Sequence, residues 1–325
     1  MQNQNRIGTG FGASTTAAQV MTGVNLRGQN VVVTGGHAGL GLEVVRVLAG
    51  AGASVWVGAR NPQRAQQLLE GIESVHVLHL DLADRTSIDV FAQRFTAENV
   101  PLHLLINNAG IMAVPFQRDA EGHELQLSTN YLGHFRLTAR LWPALAAAKG
   151  GRVIALSSGA HRLSGVDLED PEYHRRPYDK WQAYGQSKTA AALFAVELDR
   201  RGANEGVRAF SVHPGAIRTG LGAHLTTEDL VRIGAIFADG KPNPAFEALF
   251  KTVEQGAATT VWAATSSRLQ GLGGLYCEDC DVADLVATTS TSLRGVLPHA
   301  CDPQMAHRWW ERSEELAGMP SFLAG

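Results

Sequence analysis

The sequence predicts an α/β fold with a Rossmann-type, doubly wound parallel sheet, formed as a single domain with a lid insertion. Short apolar strands alternate with helical stretches between residues 30 and 212, and apolar strands of this kind are typical of a parallel sheet covered by helices on both faces. The length of 325 residues fits one large domain or two small ones. Hydrophobic residues make up 45% of the chain and charged residues 18%, which is sufficient for a packed core.

The predicted elements follow one another in a regular order. Six strands are expected at the short apolar runs 31–33, 54–58, 75–80, 103–106, 152–156 and 207–212. Helical stretches are expected between them at 40–50, 63–71, 88–95, 125–148 and 183–201. A helix at 253–265 and a last strand at 274–277 follow. Near the C-terminus, Trp309-Trp310 predicts a final helix that packs on the body or on a neighbouring subunit.

Two segments lie outside this alternation. Residues 1–27 are rich in Gly, Ser, Thr, Asn and Gln. They are interpreted as an N-terminal arm, with one short helix within 13–23, that packs on the main domain of residues 28–325. Residues 219–251 mix Gly, Pro and apolar side chains. Because ligands bind at the carboxyl edge of such sheets, this insertion is predicted to be a substrate lid.

Charge and composition exclude several classes of function. The chain has 28 Lys and Arg against 31 Asp and Glu, a net charge of −3, so neither a nucleic acid nor an anionic membrane is an expected partner. No apolar run approaches the roughly 18 residues of a membrane span, and the N-terminus lacks the apolar block of a signal peptide. Three cysteines are too few for a disulfide scaffold, which favours a reducing compartment and predicts a cytoplasmic protein.

A glycine-rich turn follows the first predicted strand. It reads Thr34-Gly-Gly-His-Ala-Gly-Leu-Gly41. Its glycines allow the backbone to approach a pyrophosphate, and the next helix offers unpaired N–H groups. A tight turn without a ligand could use the same glycines, but its place in an alternating chain favours dinucleotide binding. The candidate contacts are Gly35, His37, Ala38, Gly39, Leu40 and Gly41.

Further motifs resemble those of the short-chain dehydrogenase/reductase family and occur in the same order. They are the Thr-Gly-x-x-x-Gly-x-Gly turn, Asp81-Leu82, Asn107-Asn-Ala-Gly110, Asn130, Ser157-Ser158, Tyr184-Gly-Gln-Ser-Lys188 and Pro214-Gly215. Within the family, the chain is similar to the group of retinol dehydrogenases and the WW-domain-containing oxidoreductase. The segments that carry this closer similarity are Tyr184-Gly-Gln-Ser-Lys, Val212-His-Pro-Gly and Glu254-Gln-Gly-Ala-Ala-Thr-Thr-Val.

The resemblance implies a nicotinamide cofactor and assigns its contacts. Asp81 and Leu82 would contact the adenine, and Lys188 would hold the nicotinamide ribose. The other contacts that the resemblance implies are Asn108, Ala109, Gly110, Tyr184, Pro214, Gly215, Ile217 and Thr219.

The end of the second strand distinguishes NADP from NAD. An acidic residue there would bond the ribose 2′-hydroxyl of NAD, whereas an arginine accommodates the additional phosphate of NADP. The strand ends in Val57-Gly-Ala-Arg60-Asn61, with one guanidinium and no carboxylate. Arg60 could also be an ordinary solvated surface arginine. A guanidinium can bind a phosphate through a planar fork, so Arg60 predicts a preference for NADP.

Four residues are predicted to be catalytic: Asn130, Ser158, Tyr184 and Lys188. Tyr184 and Lys188 are four positions apart, which places both on one face of a helix. The proton of an alcohol or carbonyl oxygen would move through the Tyr184 phenol, whose pKa of about 10 is expected to be lowered by the Lys188 ammonium. Adjacent strand residues face opposite ways, so only one of Ser157 and Ser158 can enter the site. The resemblance selects Ser158 to bond the substrate oxygen and implies that Asn130 holds a water linked to Lys188.

These residues predict an NADP-dependent oxidoreductase. It would interconvert a bulky apolar ketone or aldehyde and its alcohol, because the lid carries Ile and Phe side chains. The alternative is a non-catalytic regulator that senses NADP, but such a protein would be expected to lack part of the catalytic set. Sugar-nucleotide epimerases share Tyr-x-x-x-Lys but space their glycines differently. By analogy with the family, a homodimer or a homotetramer is also open.

Cys277-Glu-Asp-Cys280 has the spacing of a pair of metal ligands. No second pair completes a set of four ligands at a familiar distance, so no metal is expected. The pair is interpreted as two reduced cysteines at the end of a strand.

Overall fold

The computed structural model describes residues 4–319 and 322–323. Within this part of the chain the strands are β1 (Asn30–Thr34), β2 (Ser54–Ala59), β3 (Val75–His79), β4 (Leu104–Asn107), β5 (Arg152–Leu156), β6 (Arg208–His213), β7 (Ala216–Ile217), β8 (Phe250–Lys251), β9 (Leu275–Glu278) and β10 (Asp281–Val282). The α-helices are α1 (Ala17–Val20), α2 (Gly39–Gly50), α3 (Pro62–Leu68), α4 (Arg85–Thr96), α5 (Leu125–Leu127), α6 (Gly133–Ala147), α7 (Lys180–Gly202), α8 (Thr227–Arg232), α9 (Pro244–Glu247), α10 (Val253–Thr265) and α11 (Pro303–Leu316).

Eight strands form one sheet, in the order β10-β9-β6-β5-β4-β1-β2-β3. All neighbouring pairs are parallel except β9 and β10, which form an antiparallel hairpin. The strand order reverses between β1 and β4, and ligands of doubly wound sheets bind at the carboxyl ends of the strands beside this switch point. The predicted fold class is confirmed.

Side chains of the sheet alternate between two hydrophobic cores. Val31 and Val33 of β1 face α1, α2 and α10, whereas Val32 faces α4, α6, α7 and α11. Both faces of the central strands are therefore buried, which explains why their sequences are apolar at successive positions. Within the described residues, no helix has the combination of length and hydropathy that a bilayer crossing requires.

Several elements differ from the sequence prediction. The helix of the N-terminal arm covers only Ala17–Val20, where Thr16 forms a capping box with Gln19. The stretch 125–148 is not one helix, because a π-helical turn at Ser128–Leu132 separates α5 from α6. The small sheet of β7 and β8 was not expected, since a strand of two residues has no periodicity. The helix at 253–265 has the predicted bounds.

Candidate active site

The glycine turn connects β1 to α2 at the carboxyl edge of the sheet. Gly35 and Gly39 have φ angles of 64° and 51°, a region that residues with side chains rarely occupy. A Cβ atom on Gly41 would lie 2.4 Å from the carbonyl oxygen of Gly35. Ala38, at the N-cap of α2, makes no side-chain hydrogen bond to the first turn. The N–H groups there are therefore suited to bind an anion.

Hydrogen bonds join this turn to the end of β4 and to α6. The hydroxyl oxygen of Thr34 accepts the backbone N–H groups of Asn108 and Ala109, each at 2.9 Å. Because two donors already use its lone pairs, the hydroxyl donates its own proton to Nε2 of His134 at 2.8 Å. Nδ1 of His134 then donates to the carbonyl of Asn130 at 3.0 Å. Burial lowers the pKa of His134 to about 4, so the ring is neutral.

Two arginines and a histidine converge at the end of β2. Arg60 directly follows β2, Arg64 lies in α3 and His37 lies in the glycine turn. Burial lowers the pKa of His37, and the charges of Arg64 and then Arg60 lower it further. Among the described residues, Nδ1 of His37 has no hydrogen-bond partner although it is buried. A positively charged corner that contains an unsatisfied ring nitrogen is suited to a phosphate group.

The predicted contacts after β3 and β4 lie beside α6 and α7. Leu82 packs so closely on Gly133 that a Cβ there would lie 2.2 Å from the Leu82 carbonyl oxygen. A Cβ on Gly110 would lie 3.0 Å from Oδ1 of Asn130 and 3.7 Å from Nζ of Lys188. Gly110 therefore lies directly against two of the predicted catalytic side chains.

Asp81 takes part in the turn that precedes α4. Its carboxylate accepts the backbone N–H of Ala83 at 3.0 Å, and its own N–H donates to Oγ of Ser87 at 2.8 Å. The side chain thus has a structural partner at the position where the resemblance implies an adenine contact.

Segment 214–219 follows β6 and completes this edge. Gly215 has a φ of 99°, and a Cβ there would lie 2.8 Å from Cδ of Lys251. The Lys251 ammonium pairs with Asp279 at 2.6 Å. The turn that begins with Pro214 is therefore covered on one side by the aliphatic chain of a lysine whose charge is neutralised.

Ile217 and Thr219 approach the glycine turn itself. A Cβ on Gly256 of α10 would lie 2.6 Å from Cγ1 of Ile217 and 2.7 Å from Cδ2 of Leu40. A Cβ on Gly39 would lie 3.3 Å from Cγ2 of Thr219. The segment after β6 and the turn after β1 are thus neighbours in space, although they lie far apart in the sequence.

Ser158, Tyr184 and Lys188 meet at the carboxyl end of β5. Nζ of Lys188 lies 5.6 Å from the centre of the Tyr184 ring and donates to the carbonyl of Leu156 at 2.9 Å. The Ser158 side chain interacts with the Tyr184 hydroxyl and favours its phenolate form. Ser157 instead donates to the backbone carbonyl of Lys188 at 2.8 Å. The two adjacent serines therefore face different partners, and Ser158 is the one beside the tyrosine.

The pKa of Tyr184 differs from the sequence expectation. Both side chains of the pair are only 5% exposed. Burial raises the pKa of Tyr184 to about 12, against a smaller lowering by Ser158, and burial also lowers the pKa of Lys188 to about 8. Loss of hydration thus outweighs the attraction between ammonium and phenolate. Tyr184 is a proton donor at neutral pH, and Lys188 can gain or lose a proton close to it.

Asn130 lies in the π-helical turn, where the backbone departs from α-helical geometry. Its side-chain amide makes three hydrogen bonds. Oδ1 accepts the N–H of Ile111 at 2.8 Å, and Nδ2 donates to the Ile111 carbonyl and to Oγ of Ser187, both at 2.9 Å. The side chain therefore ties the turn after β4 to α7. The water that Asn130 is expected to hold stays a prediction.

Sequence reasoning missed two residues of this site. Arg64 lies four positions after Arg60, and this spacing of two arginines is a sequence signal that could have identified Arg64. His134 lies four positions after Asn130, but no sequence pattern reveals that its second nitrogen reaches Thr34. The cysteine pair lies away from these contacts, with Cys280 in the turn between β9 and β10, and both thiols are free and buried.

Segment 219–251 is attached to α7, the helix that carries Tyr184. Asp229 of α8 is nearly buried and forms an ion pair with Lys180 at 2.6 Å, and it also accepts Nε1 of Trp181 at 3.3 Å. Arg232 pairs with Asp179 at 2.8 Å. The contacts hold α8 against the first turn of α7.

The family model described as short chain dehydrogenase matches residues 29–230. This match covers more than half of the chain and includes all four predicted catalytic positions. The chain belongs to the short-chain dehydrogenase family. Among solved structures, the crystal structure of an uncharacterized protein from Mycobacterium paratuberculosis is 31% identical with a TM-score of 0.71, covering 94% of this chain and 98% of that one.

Named relatives extend over almost the whole chain. The "Probable oxidoreductase" of Streptomyces lividans is 45% identical over 294 residues, which are 89% of this chain and 97% of that protein. Retinol dehydrogenase 12 of Homo sapiens is 35% identical over 304 residues, or 92% of this chain and 89% of that protein. The chain is thus an oxidoreductase of this family and resembles its retinol dehydrogenase group.

Proposed function

We propose that this short-chain dehydrogenase reduces a bulky apolar ketone or aldehyde with NADPH and catalyses the reverse oxidation of the alcohol. The observation that carries the proposal is the position of the Lys188 ammonium, whose Nζ lies 5.6 Å from the centre of the Tyr184 ring. When bound, the nicotinamide supplies or accepts a hydride at the carbonyl carbon, and the protein must move a proton at the oxygen. The Tyr184 phenol, the Ser158 hydroxyl and the Lys188 ammonium are groups that can donate or transfer this proton.

The residues of the glycine turn and of the β2 end fit NADP. The first N–H groups of α2 would hold the pyrophosphate. The charged corner of Arg60, Arg64 and His37 would hold the 2′-phosphate, which would also provide a partner for the buried Nδ1 of His37. Lys188 would hold the nicotinamide ribose.

Three of the four predicted catalytic residues have separate roles in reduction. Tyr184 donates its proton to the carbonyl oxygen as the carbon gains hydride. Ser158 donates a hydrogen bond to the same oxygen and stabilises the negative charge that develops there. Lys188, with a pKa of about 8, returns a proton to the tyrosine. The raised pKa of Tyr184 keeps the phenol protonated at neutral pH, which is the state that proton donation to a carbonyl oxygen requires.

The size and polarity of the substrate are inferred from the lid. Gly222 of the lid lies against Met112, since a Cβ on this glycine would be 3.5 Å from the methionine methyl carbon. Leu221 and Phe237 of the same segment expose 38% and 49% of their surface. Apolar side chains at a pocket mouth favour an apolar substrate. The reduced cysteines remain the basis for a cytoplasmic location, and a homodimer or homotetramer remains a prediction.

The decisive experiment is the substitution Tyr184→Phe. It removes the donated proton and one oxygen atom, so turnover of an aromatic or alicyclic ketone should fall at least about a hundredfold. NADPH binding, measured by quenching of tryptophan fluorescence, should stay within about twofold. Near-normal turnover in this variant would contradict the catalytic assignment. Tight NADPH binding by the parent protein without oxidation by any ketone or aldehyde would instead indicate a regulator that senses NADP.

A further inference from the structure

The peptide unit between Ser158 and Gly159 is held by hydrogen bonds at both ends. Its carbonyl oxygen accepts Nδ1–H of His161 at 2.8 Å and the hydroxyl of Tyr276 at 3.1 Å. Its N–H group, on Gly159, donates to Nδ1 of His213 at 3.0 Å. Three side chains from three different parts of the chain therefore contact one peptide unit. That peptide carries the serine that faces Tyr184.

The surroundings of His161 determine which of its nitrogens carries the proton. Nε2 accepts the backbone N–H of Leu297 at 3.2 Å, so this nitrogen has no proton. The proton is on Nδ1, where it points at the Ser158 carbonyl. The hydroxyl oxygen of Tyr276 also lies 3.2 Å from Nδ1 of His161. Because that nitrogen already carries a proton, the Tyr276 hydroxyl donates its own proton to the Ser158 carbonyl and not to the ring. The side chain of His161 is thus fixed as a donor.

His213 has the opposite tautomer. Its Nδ1 accepts two backbone N–H groups, from Gly159 at 3.0 Å and from Gly215 at 3.3 Å. The proton of the neutral ring is therefore on Nε2. Gly215 belongs to the turn after β6, beside the predicted nicotinamide site. One ring nitrogen thus joins the loop of the catalytic serine to the loop of the cofactor.

Both rings are held neutral by their surroundings. Burial lowers the pKa of His161 to about 4 and that of His213 to about 3. Arg162 faces both rings and disfavours their charged forms, as Lys251 does for His213.

Two further ionisable neighbours lie close to these rings. His299 lies near His161 and lowers its pKa. Asp279 lies near His213 and raises its pKa, but burial has a larger effect and keeps that pKa low. The donor and acceptor roles of the two rings therefore stay fixed around neutral pH, well above both pKa values.

Tyr276 is itself anchored from the outer edge of the sheet. It lies in β9, and the side chain of Gln4 bonds its backbone twice: Oε1 accepts the N–H of Tyr276 at 3.0 Å, and Nε2 donates to its carbonyl at 2.9 Å. The N-terminal arm therefore holds the strand from which the tyrosine hydroxyl reaches the Ser158 carbonyl.

We propose that His161, His213 and Tyr276 are positioning residues that hold the Ser158–Gly159 peptide and so direct the Ser158 hydroxyl towards the reacting oxygen. The inference rests on the proposed function, because it assigns these side chains a purpose in carbonyl reduction. Ser158 lies two residues beyond the end of β5 and caps the 3₁₀ turn that follows, where its carbonyl also accepts the backbone N–H of His161 at 3.0 Å. The sheet ladder therefore does not fix its peptide plane, and one backbone hydrogen bond supplements the three side chains. The reaction rate can fall about a hundredfold when a hydrogen-bond donor is misplaced by about 1 Å, so the Ser158 hydroxyl needs such support.

The test compares substitutions that keep or remove the individual hydrogen bonds. An asparagine amide can present either Oδ1 or Nδ2 near the position of the imidazole Nδ1. Accordingly, His161→Leu and His213→Leu should each lower kcat for ketone reduction at least about tenfold, and His161→Asn and His213→Asn should recover most of it. Tyr276→Phe should lower kcat by about threefold to tenfold. For the His161 and Tyr276 variants, the Kd of NADPH should stay within about twofold.

A matched control is available at the amino-terminal ends of the strands, on the side of the sheet opposite to the site. Nδ1 of His103 also accepts a backbone N–H, that of Asn30 at 3.0 Å, at the start of β4. His103→Leu should lower the Tm without lowering kcat. If the His161 and His213 variants lose kcat only in proportion to their unfolded fraction, the proposed positioning role is wrong.

A readout that is independent of turnover separates this inference from the proposed function. In the uniformly ¹⁵N-labelled protein, ring-nitrogen shifts should show His161 as the Nδ1–H tautomer and His213 as the Nε2–H tautomer, unchanged between about pH 6 and 8. Tautomers other than these would overturn the inference even in an active enzyme. If the tautomers are as stated but the parent protein reduces no ketone or aldehyde, the proposed function fails and the purpose assigned to the three residues fails with it.

Discussion

At the level of single residues, the contrast between Tyr184 and Lys188 determines how the site handles protons. The phenol and the ammonium are both buried, and burial moves their pKa values in opposite directions, to about 12 and about 8. A phenol that stays protonated is a poor base, and its proton is available to a carbonyl oxygen that gains negative charge. Under the proposed function the pair would deliver a proton at neutral pH, and oxidation of an alcohol should become faster as the pH rises.

The pH dependence of ketone reduction follows from Lys188. Its folded pKa is lowered, so the charged form is present below about pH 8 and is lost above it. We expect kcat for reduction to be constant at lower pH and to fall above about pH 8 in steady-state assays. Circular dichroism at each pH will show that the fold is retained. A profile that stays flat to about pH 10 would exclude Lys188 as the residue that returns the proton.

We expect selection between the two nicotinamide cofactors to depend on Arg60 and Arg64. Arg60→Ala and Arg64→Ala each remove a charged donor from the corner that faces His37. A hydrogen bond to a charged group contributes about 1.5–3 kcal/mol, so kcat/KM with NADPH should fall about tenfold to a hundredfold for each variant. With NADH the same constant should change less than about threefold. An unchanged ratio of NADPH to NADH efficiency would show that these arginines do not select the cofactor.

At the level of elements, the lid depends on its contact with α7. Asp229 is 4% exposed and contacts Lys180 and Trp181, and its carboxylate also accepts the backbone N–H and the hydroxyl of Thr226 at the start of α8. A charge removed from water needs such partners. Segment 219–251 is therefore fastened to the helix that carries Tyr184.

Removal of the Asp229 charge should loosen the lid without disturbing the cofactor. We expect Asp229→Asn to raise KM for a bulky ketone about threefold to tenfold and to leave the Kd of NADPH within about twofold. Limited proteolysis within 219–251 should become faster. The matched control is Asp239→Asn, in the same segment, whose ion pair with Lys241 is exposed. Equal effects of the two substitutions would contradict the role of Asp229.

At the level of the whole molecule, the C-terminal helix completes the core. Trp310 of α11 stacks on Phe194 of α7 at 5.8 Å, and Trp309 lies 5.5 Å from the ring of Tyr131. The tryptophan pair therefore packs on the body of its own chain, which decides between the two alternatives left by the sequence. As a consequence α7 is buried on nearly all sides.

The contribution of this helix to stability can be measured directly. Trp309 is 0% exposed, and truncation of a buried tryptophan costs about 3–5 kcal/mol. Trp309→Ala should lower the free energy of unfolding by this amount in urea titrations. Leu293→Ala, at a side chain that is 63% exposed, should change it by less than about 0.5 kcal/mol. A small effect of the tryptophan substitution would show that α11 is not part of the cooperative fold.

Much of the fold could be predicted because its signals are local. Apolar β-branched runs, alternating with helical stretches, indicated the strands of a parallel sheet, and a glycine turn after the first strand indicated a phosphate site. The bounds of α10 and β5 agree with the prediction. The π-helical turn at Ser128–Leu132 and the two-residue strands β7 and β8 could not be predicted, since they depend on contacts with distant segments and not on periodicity.

The sequence by itself determined the family, the fold class and the identity of the residues that the proposed chemistry uses, because these are carried by motifs of fixed spacing along the chain. Only the tertiary structure decided what surrounds them. Burial set the pKa of Tyr184, Arg64 and His37 joined Arg60, and His161 and His213 met at one peptide. Desolvation and hydrogen-bond direction depend on which atoms are brought together by folding, and linear spacing carries no record of them.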